Sequence, residues 1–405
     1  MKVSRTERHI INKNNPFWNA CDDLCFKSKN MFNYANYIMR QQFIKDKTVI
    51  KYNDLTFQLK TSEPFKDLGS NSSQHTLKML CKSWKSFLVA VKDYSKNPSK
   101  YLGKPRLPKY KDKNGRHICV LTNMQSQIQD GYLYFAFTRL KPYNNLIKTK
   151  ICGHHLQTRI VPKGNNYILE LVYEKEVQDP KEFNNRICSI DLGVNNFATL
   201  TNNIGVKPII INGKNIKSIN QYYNKNRSKF QADLKKRHNL HWSNRLDKLQ
   251  SDRDNKIEYF LHCTSKSVIE YCKGNDINTI VIGLNKTWKQ ESSLSKLTNQ
   301  NFVSIPYDKF ISKVKYKAEN EGIQVIVNEE SYSSGTSFLD LEEPVKANYN
   351  KARRVYRGLF VSNKGIKINS DVNGSLQIMR KVFPNAFADG IEGIDFCPVR
   401  VNISC

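Results

Sequence analysis

Acidic residues stand at the ends of apolar runs in three separate parts of this basic chain. Asp191 follows the apolar run 187–190, Glu330 follows the run that starts at position 325, and Asp371 precedes a helical pattern. An acid beside a buried strand is costly unless it is paired or binds a metal. Carboxylate clusters hold two divalent ions in enzymes that cleave phosphodiester bonds, and their hard oxygen atoms suit Mg²⁺ or Mn²⁺ rather than zinc. The three acids therefore predict a metal-dependent site assembled from distant segments.

Each acid also has a structural explanation when it is taken alone. Asp191 can be a salt-bridged core residue, and an aspartate before a helix, such as Asp371, is commonly the N-cap. A metal-binding aspartate at a helix start has the same local pattern, so the sequence does not separate these two roles. The presence of three such acids in a chain of net charge +29 favours the metal site.

The positive charge predicts a polyanionic partner. Lys and Arg number 65 against 36 Asp and Glu, and nucleic acid is the expected partner of such an excess. A membrane surface is the alternative, but no apolar run reaches the roughly 20 residues of a spanning helix. The N-terminal segment lacks the apolar core of a signal peptide. Ten cysteines without a Cys-x-x-Cys pair indicate a reduced, cytoplasmic protein without disulfides.

The hydrophobic periodicity changes twice along the chain. Apolar residues recur at three- and four-residue steps from about 16 to 100, which predicts helices. From about 117 to 177 the period is two, and turn residues separate the runs, which predicts hairpins and a small β-barrel. From 187 onward, short buried strands alternate with helices, including one long basic helical stretch over about 214–272. This order is typical of a mixed α/β layer fold.

Two basic segments are candidate nucleic-acid contacts. The proline-containing connector 100–113 cannot form a regular helix. In one interpretation its cations neutralise phosphates and its tyrosines stack on bases. In the other interpretation it is a solvated linker. The second segment is a one-sided basic run within 214–256, either a solvated face or a wall beside a nucleic-acid backbone. The candidate contact residues are Lys104, Arg106, Lys109, Tyr110, Lys235, Lys236, Arg237 and Arg245. A further loop carries Lys286, Trp288 and Lys289 close in sequence to the proposed site.

The motifs around these acids resemble those of the TnpB family. The resemblance rests on Asp191-Leu-Gly-Val-Asn-Asn-Phe-Ala, on Asp371-Val-Asn-Gly, and on the connector Gly103-Lys-Pro-Arg-Leu-Pro-Lys-Tyr. It implies a transposon-encoded, RNA-guided DNA endonuclease related to type V CRISPR effectors. It also implies an RNase H-like (RuvC) nuclease domain, preceded by a β-barrel wedge domain with an inserted helical recognition domain. The expected domains are a wedge at 1–15 and 101–180, a helical domain at 16–100, and a nuclease domain at 181–405.

Two departures from the family pattern affect the site. The strand that usually ends in the middle acid reads Thr279-Ile-Val-Ile-Gly283 here, so that acid is missing. Some branches carry a substitute glutamate on the neighbouring strand, which implies Glu330, with Glu329 as the alternative. Adjacent strands lie about 4.8 Å apart, so a glutamate on the next strand reaches the same metals and Gly283 leaves room for it. The insert at about 335–368 contains no cysteine, so the zinc-binding pairs of the family are absent and no zinc is expected.

The expected function is cleavage of double-stranded target DNA next to a short flanking motif, directed by a guide RNA. Asp191, Glu330 and Asp371 are expected to bind two Mg²⁺ or Mn²⁺ ions, one activating water and the other stabilising the leaving oxygen. One chain is expected per guide RNA, in the cytoplasm of a bacterium or archaeon. The alternatives are a nuclease-inactive, RNA-guided DNA-binding protein, which the missing acid at Gly283 favours, and a resolvase or transposase without a guide.

Overall fold

A computed structural model of the chain describes residues 1–285, 300, 303–356, 358–388 and 390–403. The chain divides into two compact units, Lys2–Glu176 and Val177–Cys405, with Met1 associated with the second. Within the described residues, no helix is both long enough and apolar enough to cross a membrane.

The first unit combines an antiparallel sheet with four helices. The sheet has the order β1-β6-β5-β2, and a separate hairpin is formed by β3 and β4. The strands are β1 Lys2–Ile11, β2 Cys119–Thr122, β3 Ser126–Gln129, β4 Tyr132–Phe135, β5 His155–Lys163 and β6 Asn166–Glu176. The helices are α1 Trp18–Asp46, α2 Tyr52–Leu59, α3 Glu63–Leu68 and α4 Ser70–Lys96.

One hydrophobic core serves both parts of this unit. It joins Met31 on α1 and Trp84 on α4 with Leu169 and Leu171 on β6, all of them buried. Strand β1 pairs along its whole length with β6, so the N-terminal residues complete a sheet whose other strands follow the helices. In sequence, the helices are therefore inserted between β1 and β2. The closure of the strands into a barrel and the assignment of this unit as a wedge domain stay predictions.

The second unit is built on a six-stranded sheet of order β11-β10-β7-β8-β9-β14. Strands β7, β8 and β9 are antiparallel neighbours, β10 and β11 run parallel to β7, and β14 runs parallel to β9. The bounds are β7 Ile187–Leu192, β8 Asn196–Asn202, β9 Ile209–Asn212, β10 Thr279–Gly283, β11 Gln324–Asn328 and β14 Val399–Val401. The helices are α5 Lys214–His238, α6 Asn244–Gly274, α7 Tyr307–Glu319 and α8 Ser370–Val382.

The helical stretch predicted over about 214–272 is confirmed, and it consists of two helices. Helix α5 ends at His238, and Asn239 adopts the left-handed conformation with φ 50°. Asparagine tolerates this region better than most residues and often follows the last helical residue. Helix α6 begins after Ser243. The basic run is therefore divided between two helices that pack against each other.

Alternation along the central strands sends side chains to two different layers. On β7 and β10, Cys188, Ile190, Ile280 and Ile282 belong to a core with α6 and α7. Ile187 and Val281 belong to a second core with α8. Because the side-chain period of a strand is two, Asp191 and Gly283 fall on the α8 face. The insert between β11 and α8 contains a short hairpin, β12 Leu359–Val361 with β13 Lys367–Asn369.

Candidate active site

Asp191 lies near the end of the central strand β7, beside Gly374 in the N-terminal half of α8. A Cβ added to Gly374 of α8 would lie 3.1 Å from Asp191 Oδ2, so glycine allows the helix to approach the carboxylate closely. One step back along the same face, Ser189 and Ser375 hydrogen-bond each other, and Ser375 Oγ also donates to the backbone oxygen of Ser189 at 3.0 Å. These small residues fix α8 against β7 and thereby place Asp191 beside the helix start.

Asp371 is the second residue of α8, and another residue caps the helix. Asn369 is the N-cap, and its side-chain oxygen accepts hydrogen bonds from the backbone nitrogens of Asp371 and Val372. The Asp371 carboxylate instead accepts a hydrogen bond from Asn196 Nδ2 at 2.5 Å and pairs with Arg354 at 3.9 Å. The alternative that Asp371 is the N-cap is therefore wrong, because Asn369 fills that role and leaves the Asp371 carboxylate directed elsewhere.

Glu330 follows β11 and extends beside Gly283 of the neighbouring strand β10. A Cβ added to Gly283 would lie 2.8 Å from Glu330 Oε2 and 2.5 Å from Ile378 Cδ1 of α8. Among the described residues, the buried Glu330 Oε2 has no hydrogen-bond partner. Glu329 is directed differently: its side chain is 63% exposed and pairs with Lys381. The two adjacent glutamates are thus in different environments, and Glu330 is the one beside Gly283.

The carboxylates at this site interact electrostatically. Burial and the neighbouring charges of Glu330 and Asp371 raise the pKa of Asp191 well above its ordinary value. Burial raises the pKa of Glu330 to about 7, partly offset by the positive charge of Lys381. The pKa of Tyr307 is also raised, by burial and by Asp191 and Glu330, and its hydroxyl donates to the Gly193 backbone oxygen at 2.8 Å. Several acids held together in a buried site are unfavourable as anions unless a cation is present.

The donor set at this site fits divalent magnesium or manganese. Carboxylate oxygens are the ligands these ions prefer, and the unpartnered Glu330 Oε2 is a buried acceptor that a cation would satisfy. As the side chains stand, no three His, Cys, Asp or Glu residues within the described ranges are grouped closely enough to hold a metal ion together. Asp191, Glu330 and Asp371 thus form a group of interacting carboxylates with the right chemistry, without a preformed three-ligand cage.

The proline-containing connector is fastened along α1 and is not a free linker. Asn33 exchanges two hydrogen bonds with the Lys111 backbone, and Asn36 Nδ2 donates to the Pro108 oxygen at 3.0 Å. Arg40 lies over the Tyr110 ring at 4.9 Å. The side chains of the four candidate contact residues remain exposed, and they are Lys104, Arg106, Lys109 and Tyr110. The connector therefore presents its cations on an anchored, extended backbone.

The four candidate residues on the basic run differ in their surroundings. Lys235, Lys236 and Arg237 lie exposed in the last turn of α5, where positive charge also favours the helix dipole. Arg237 pairs with Asp233 at 2.7 Å. Arg245 on α6 packs its guanidinium 3.8 Å from the centre of the Phe230 ring, so part of its role is to join the two helices. The loop residues Lys286, Trp288 and Lys289 lie outside the described residues.

Three residues near the acids were not singled out from the sequence. Asn196 and Arg354 both contact Asp371, and Lys381 contacts the segment around Glu330. Asn196 lies inside the motif that follows Asp191, so the sequence offered a signal for it. Arg354 and Lys381 act through contacts that the sequence pattern does not encode.

The cysteine-free insert is held together by a polar cluster around Glu342. This carboxylate accepts hydrogen bonds from the Ser337 backbone nitrogen at 2.8 Å, from Arg353 at 2.5 Å and from Asn363 at 3.0 Å. Burial acts to raise the pKa of Glu342, but these hydrogen bonds and the Arg353 charge hold it below its ordinary value. The Glu342 backbone oxygen also accepts hydrogen bonds from Gln377 and Arg380 of α8. The insert is thereby attached to the helix that carries Asp371.

Comparisons with known proteins match both halves of the second unit. The family model OrfB_IS605, described as a probable transposase, matches residues 170–289. A second model, the Cas12f1-like TNB domain, matches residues 307–378, a range that contains Glu330, the insert and Asp371.

One curated relative and one solved structure cover most of the chain. TnpB-like protein ORF457 of Acidianus two-tailed virus is 23% identical over 390 residues, which span 87% of this chain and 81% of the relative. Cas12f1, in a cryo-EM structure of its complex with sgRNA and target DNA, aligns with a TM-score of 0.56 at 13% identity, over 89% of this chain and 82% of that chain. At this level of identity, the structural likeness supports a fold like that of Cas12f1. The family matches and the TnpB-like relative confirm the predicted resemblance to the TnpB family.

Proposed function

We propose that the chain is a metal-dependent DNA endonuclease of transposon origin that is directed by a guide RNA. The observation that carries the proposal is the approach of three carboxylates, Asp191, Glu330 and Asp371, from strand β7, the end of β11 and the start of α8. Similarity to the OrfB_IS605 family model and to a TnpB-like protein supports a function of this class. The complex of Cas12f1 with sgRNA and target DNA supports RNA and DNA as the partners.

Asp191, Glu330 and Asp371 are the residues that would hold Mg²⁺ or Mn²⁺. Such ions activate a water nucleophile and stabilise the leaving oxygen of a phosphodiester. Asn196 donates to Asp371 Oδ2 and orients that carboxylate. Arg354 pairs with Asp371, and its positive charge offsets part of the rise in the pKa of Asp191. This charge favours the ionised form that metal binding requires.

The basic surfaces would bind the nucleic acid backbone. Lys104, Arg106 and Lys109 are exposed on the anchored connector. Because the connector backbone is already held in place, part of the entropy cost of ordering it on nucleic acid is met before binding. Lys235 and Lys236 are exposed at the end of α5. In this assignment guide pairing supplies sequence specificity, and the protein reads the backbone and a short flanking motif.

The test is cleavage by the purified chain with the RNA that copurifies with it. Plasmid DNA matched to that RNA, with randomised flanks, should be cut in Mg²⁺ and left intact in EDTA. Asp191→Ala and Asp371→Ala should each abolish cleavage and leave DNA binding largely unchanged, because these side chains position metal and not the heteroduplex. Glu329→Gln is the matched control for Glu330→Gln, since both remove one adjacent carboxylate. Near wild-type cutting by Asp191→Ala or Asp371→Ala would refute that assignment.

The second candidate function is a nuclease-inactive, RNA-guided DNA-binding protein. It is favoured by one specific observation, the glycine at position 283 where the family pattern has an acid. Tight, RNA-dependent DNA binding without any cleavage in Mg²⁺ or Mn²⁺ would support this candidate over the endonuclease.

A further inference from the structure

Two glutamates stand side by side after β11, and a regular strand sends them to opposite faces. Glu330 lies beside Gly283, whereas the Glu329 side chain is largely exposed. Strand alternation alone does not fix this choice, because both residues lie beyond the last residue of β11, Asn328. A shift of one residue would exchange their positions.

Lys381, in the last turn of α8, contacts both residues that flank Glu330. Its Nζ donates to the Ser331 backbone oxygen at 3.2 Å and lies 3.7 Å from Glu329 Oε2. The Lys381 side chain is only 23% exposed. On the other side, the Glu330 backbone oxygen accepts from Ser333 Oγ at 2.8 Å and from Ser333 N at 3.2 Å.

We propose that Lys381 is a positioning residue that directs Glu330, and not Glu329, to the acid cluster. The ion pair acts with a hydrogen bond that Ser331 Oγ donates to Glu329 Oε1 to keep Glu329 on the outer side. The bond from Lys381 to the Ser331 oxygen fixes the backbone immediately after Glu330. Because α8 also carries Asp371, Lys381 ties the segment bearing one acid to the helix bearing another. This inference rests on the proposed metal site.

Two simpler roles make different predictions for Lys381. A surface ion pair of this kind contributes little stability by itself, so a purely superficial lysine can be removed without consequence. A lysine that acts only through its charge repels the cation. At a pH well above the Glu330 pKa of about 7, where Glu330 is ionised with or without Lys381, removal of this charge would tighten metal binding. Positioning predicts the opposite sign, because metal affinity falls when a supporting contact to a ligand is lost.

The experiment measures Mn²⁺ binding to the full-length chain, freed of nucleic acid at high salt, by electron paramagnetic resonance. The wild type should bind Mn²⁺ and Asp191→Asn should not. Lys381→Met should weaken binding by about ten- to a hundredfold, whereas Lys381→Arg should stay within about threefold of the wild type. Lys364→Met, at an exposed position of the insert, is the matched control and should change nothing.

A second arm asks whether Glu329 is released when Lys381 is removed. Glu329→Gln should leave Mn²⁺ affinity unchanged in the wild type and alter it in the Lys381→Met background, a coupling that a double-mutant cycle measures. Thermal unfolding reports whether Lys381→Met is folded. If it is not, Lys381→Gln, which keeps a hydrogen-bond donor and loses the charge, replaces it. This variant should weaken binding by about three- to tenfold, and unchanged binding in folded Lys381→Gln overturns the positioning role.

The outcomes separate this inference from the proposed function. If folded Lys381→Met binds Mn²⁺ as tightly as the wild type or more tightly, and Asp191→Asn still does not bind it, the positioning role is overturned and the proposed metal site stands. Equal binding by the wild type and Asp191→Asn overturns the metal site and the inference with it.

Discussion

Gly283 provides a direct test of where the Glu330 carboxylate lies. A methyl group at this position would lie 2.5 Å from Ile378 Cδ1 and 2.8 Å from Glu330 Oε2. Because favourable contacts between carbon atoms occur at about 3.5–4.0 Å, Gly283→Ala requires displacements of about 1 Å. Ile378 can move the end of its side chain, but Glu330 is held by the turn at Ser333.

The expected cost follows from these distances. Overpacking of this kind destabilises by about 1–3 kcal/mol, which corresponds to a melting temperature lower by about 2–12 °C for a unit of this size. A displacement of about 1 Å at a reacting site costs on the order of 100-fold in rate. Gly283→Ala should therefore lower the single-turnover cleavage rate by about 100-fold.

Gly274→Ala is the matched control. A Cβ at Gly274, the last residue of α6, would meet no atom within 4 Å. The substitution should leave cleavage unchanged and stabilise the protein by about 0.4–1 kcal/mol, through the lower entropy of the unfolded chain.

A rescue variant gives a second test of whether the Glu330 carboxylate lies beside Gly283. Glu330→Ala should reduce cleavage by more than about 100-fold, and it also vacates the space beside Gly283. Adding Gly283→Glu and Ile378→Val, which removes the Cδ1 in the way, should recover at least about tenfold. Full activity in Gly283→Ala, with an unchanged melting temperature, would show that the Glu330 carboxylate does not lie beside Gly283. Full activity in Glu330→Ala would refute the substitute acid.

Two further predictions concern the basic run and the insert. Neutralising Lys235, Lys236 and Arg237 together should weaken binding to all guide-matched targets alike. If each contacts a phosphate, the slope of log affinity against log salt concentration should fall by about 2.7, at about 0.9 per contact on duplex DNA. An unchanged slope in a filter-binding titration would show that these side chains are solvated and do not contact phosphates. Glu342→Gln should destabilise the second unit by about 3 kcal/mol, because it leaves the largely buried Arg353 unpaired, whereas a zinc chelator should leave the melting temperature unchanged. Since the folded pKa of Glu342 is below its ordinary value, its stabilising effect should be present at neutral pH and be lost as the pH falls through that lowered pKa.

The sequence pattern located those elements of the second unit that have strong local signals. The runs 187–190, 279–282 and 324–327 became β7, β10 and β11, because continuous apolar residues bounded by polar ones are typical of buried strands. Strand β14 has only three residues, Val399–Val401, and two of them are exposed, so it has no apolar signature. Its position is decided by pairing with β9, far away in sequence.

The break between α5 and α6 illustrates a different limit. Basic residues continue on both sides of Asn239, so neither charge nor helix propensity marks the end of α5 strongly. The positive φ of Asn239 ends the helix, and Leu246 is buried where α6 resumes. Tertiary packing between the two helices, which a local pattern does not contain, sets the boundary.

The acids of the candidate site could be predicted from the sequence, but the residues that hydrogen-bond or pair with them could not. Asp191 and Asp371 stand in recognisable motifs, but the bond from Asn196 to Asp371 joins residues 175 positions apart. Arg354 lies in a basic insert whose several cations look alike in sequence. Which of them reaches Asp371 depends on how the insert folds onto α8.

The third acid of the site, Glu330, lies just after β11 and not at the end of β10. This placement depends on several features acting together. The two strands are parallel, and Gly283 stands opposite Asn328, so Glu330 begins two residues beyond the level of the position it replaces. Its side chain must therefore cross toward β10, through the space that any side chain at 283 would fill. The hydrogen bonds from Ser333 to the Glu330 oxygen reverse the chain at that point. A glutamate at 330 without glycine at 283 would be excluded from the cluster, and glycine at 283 without the glutamate would leave a cavity beside Ile378; the two positions therefore have to be tested as a pair.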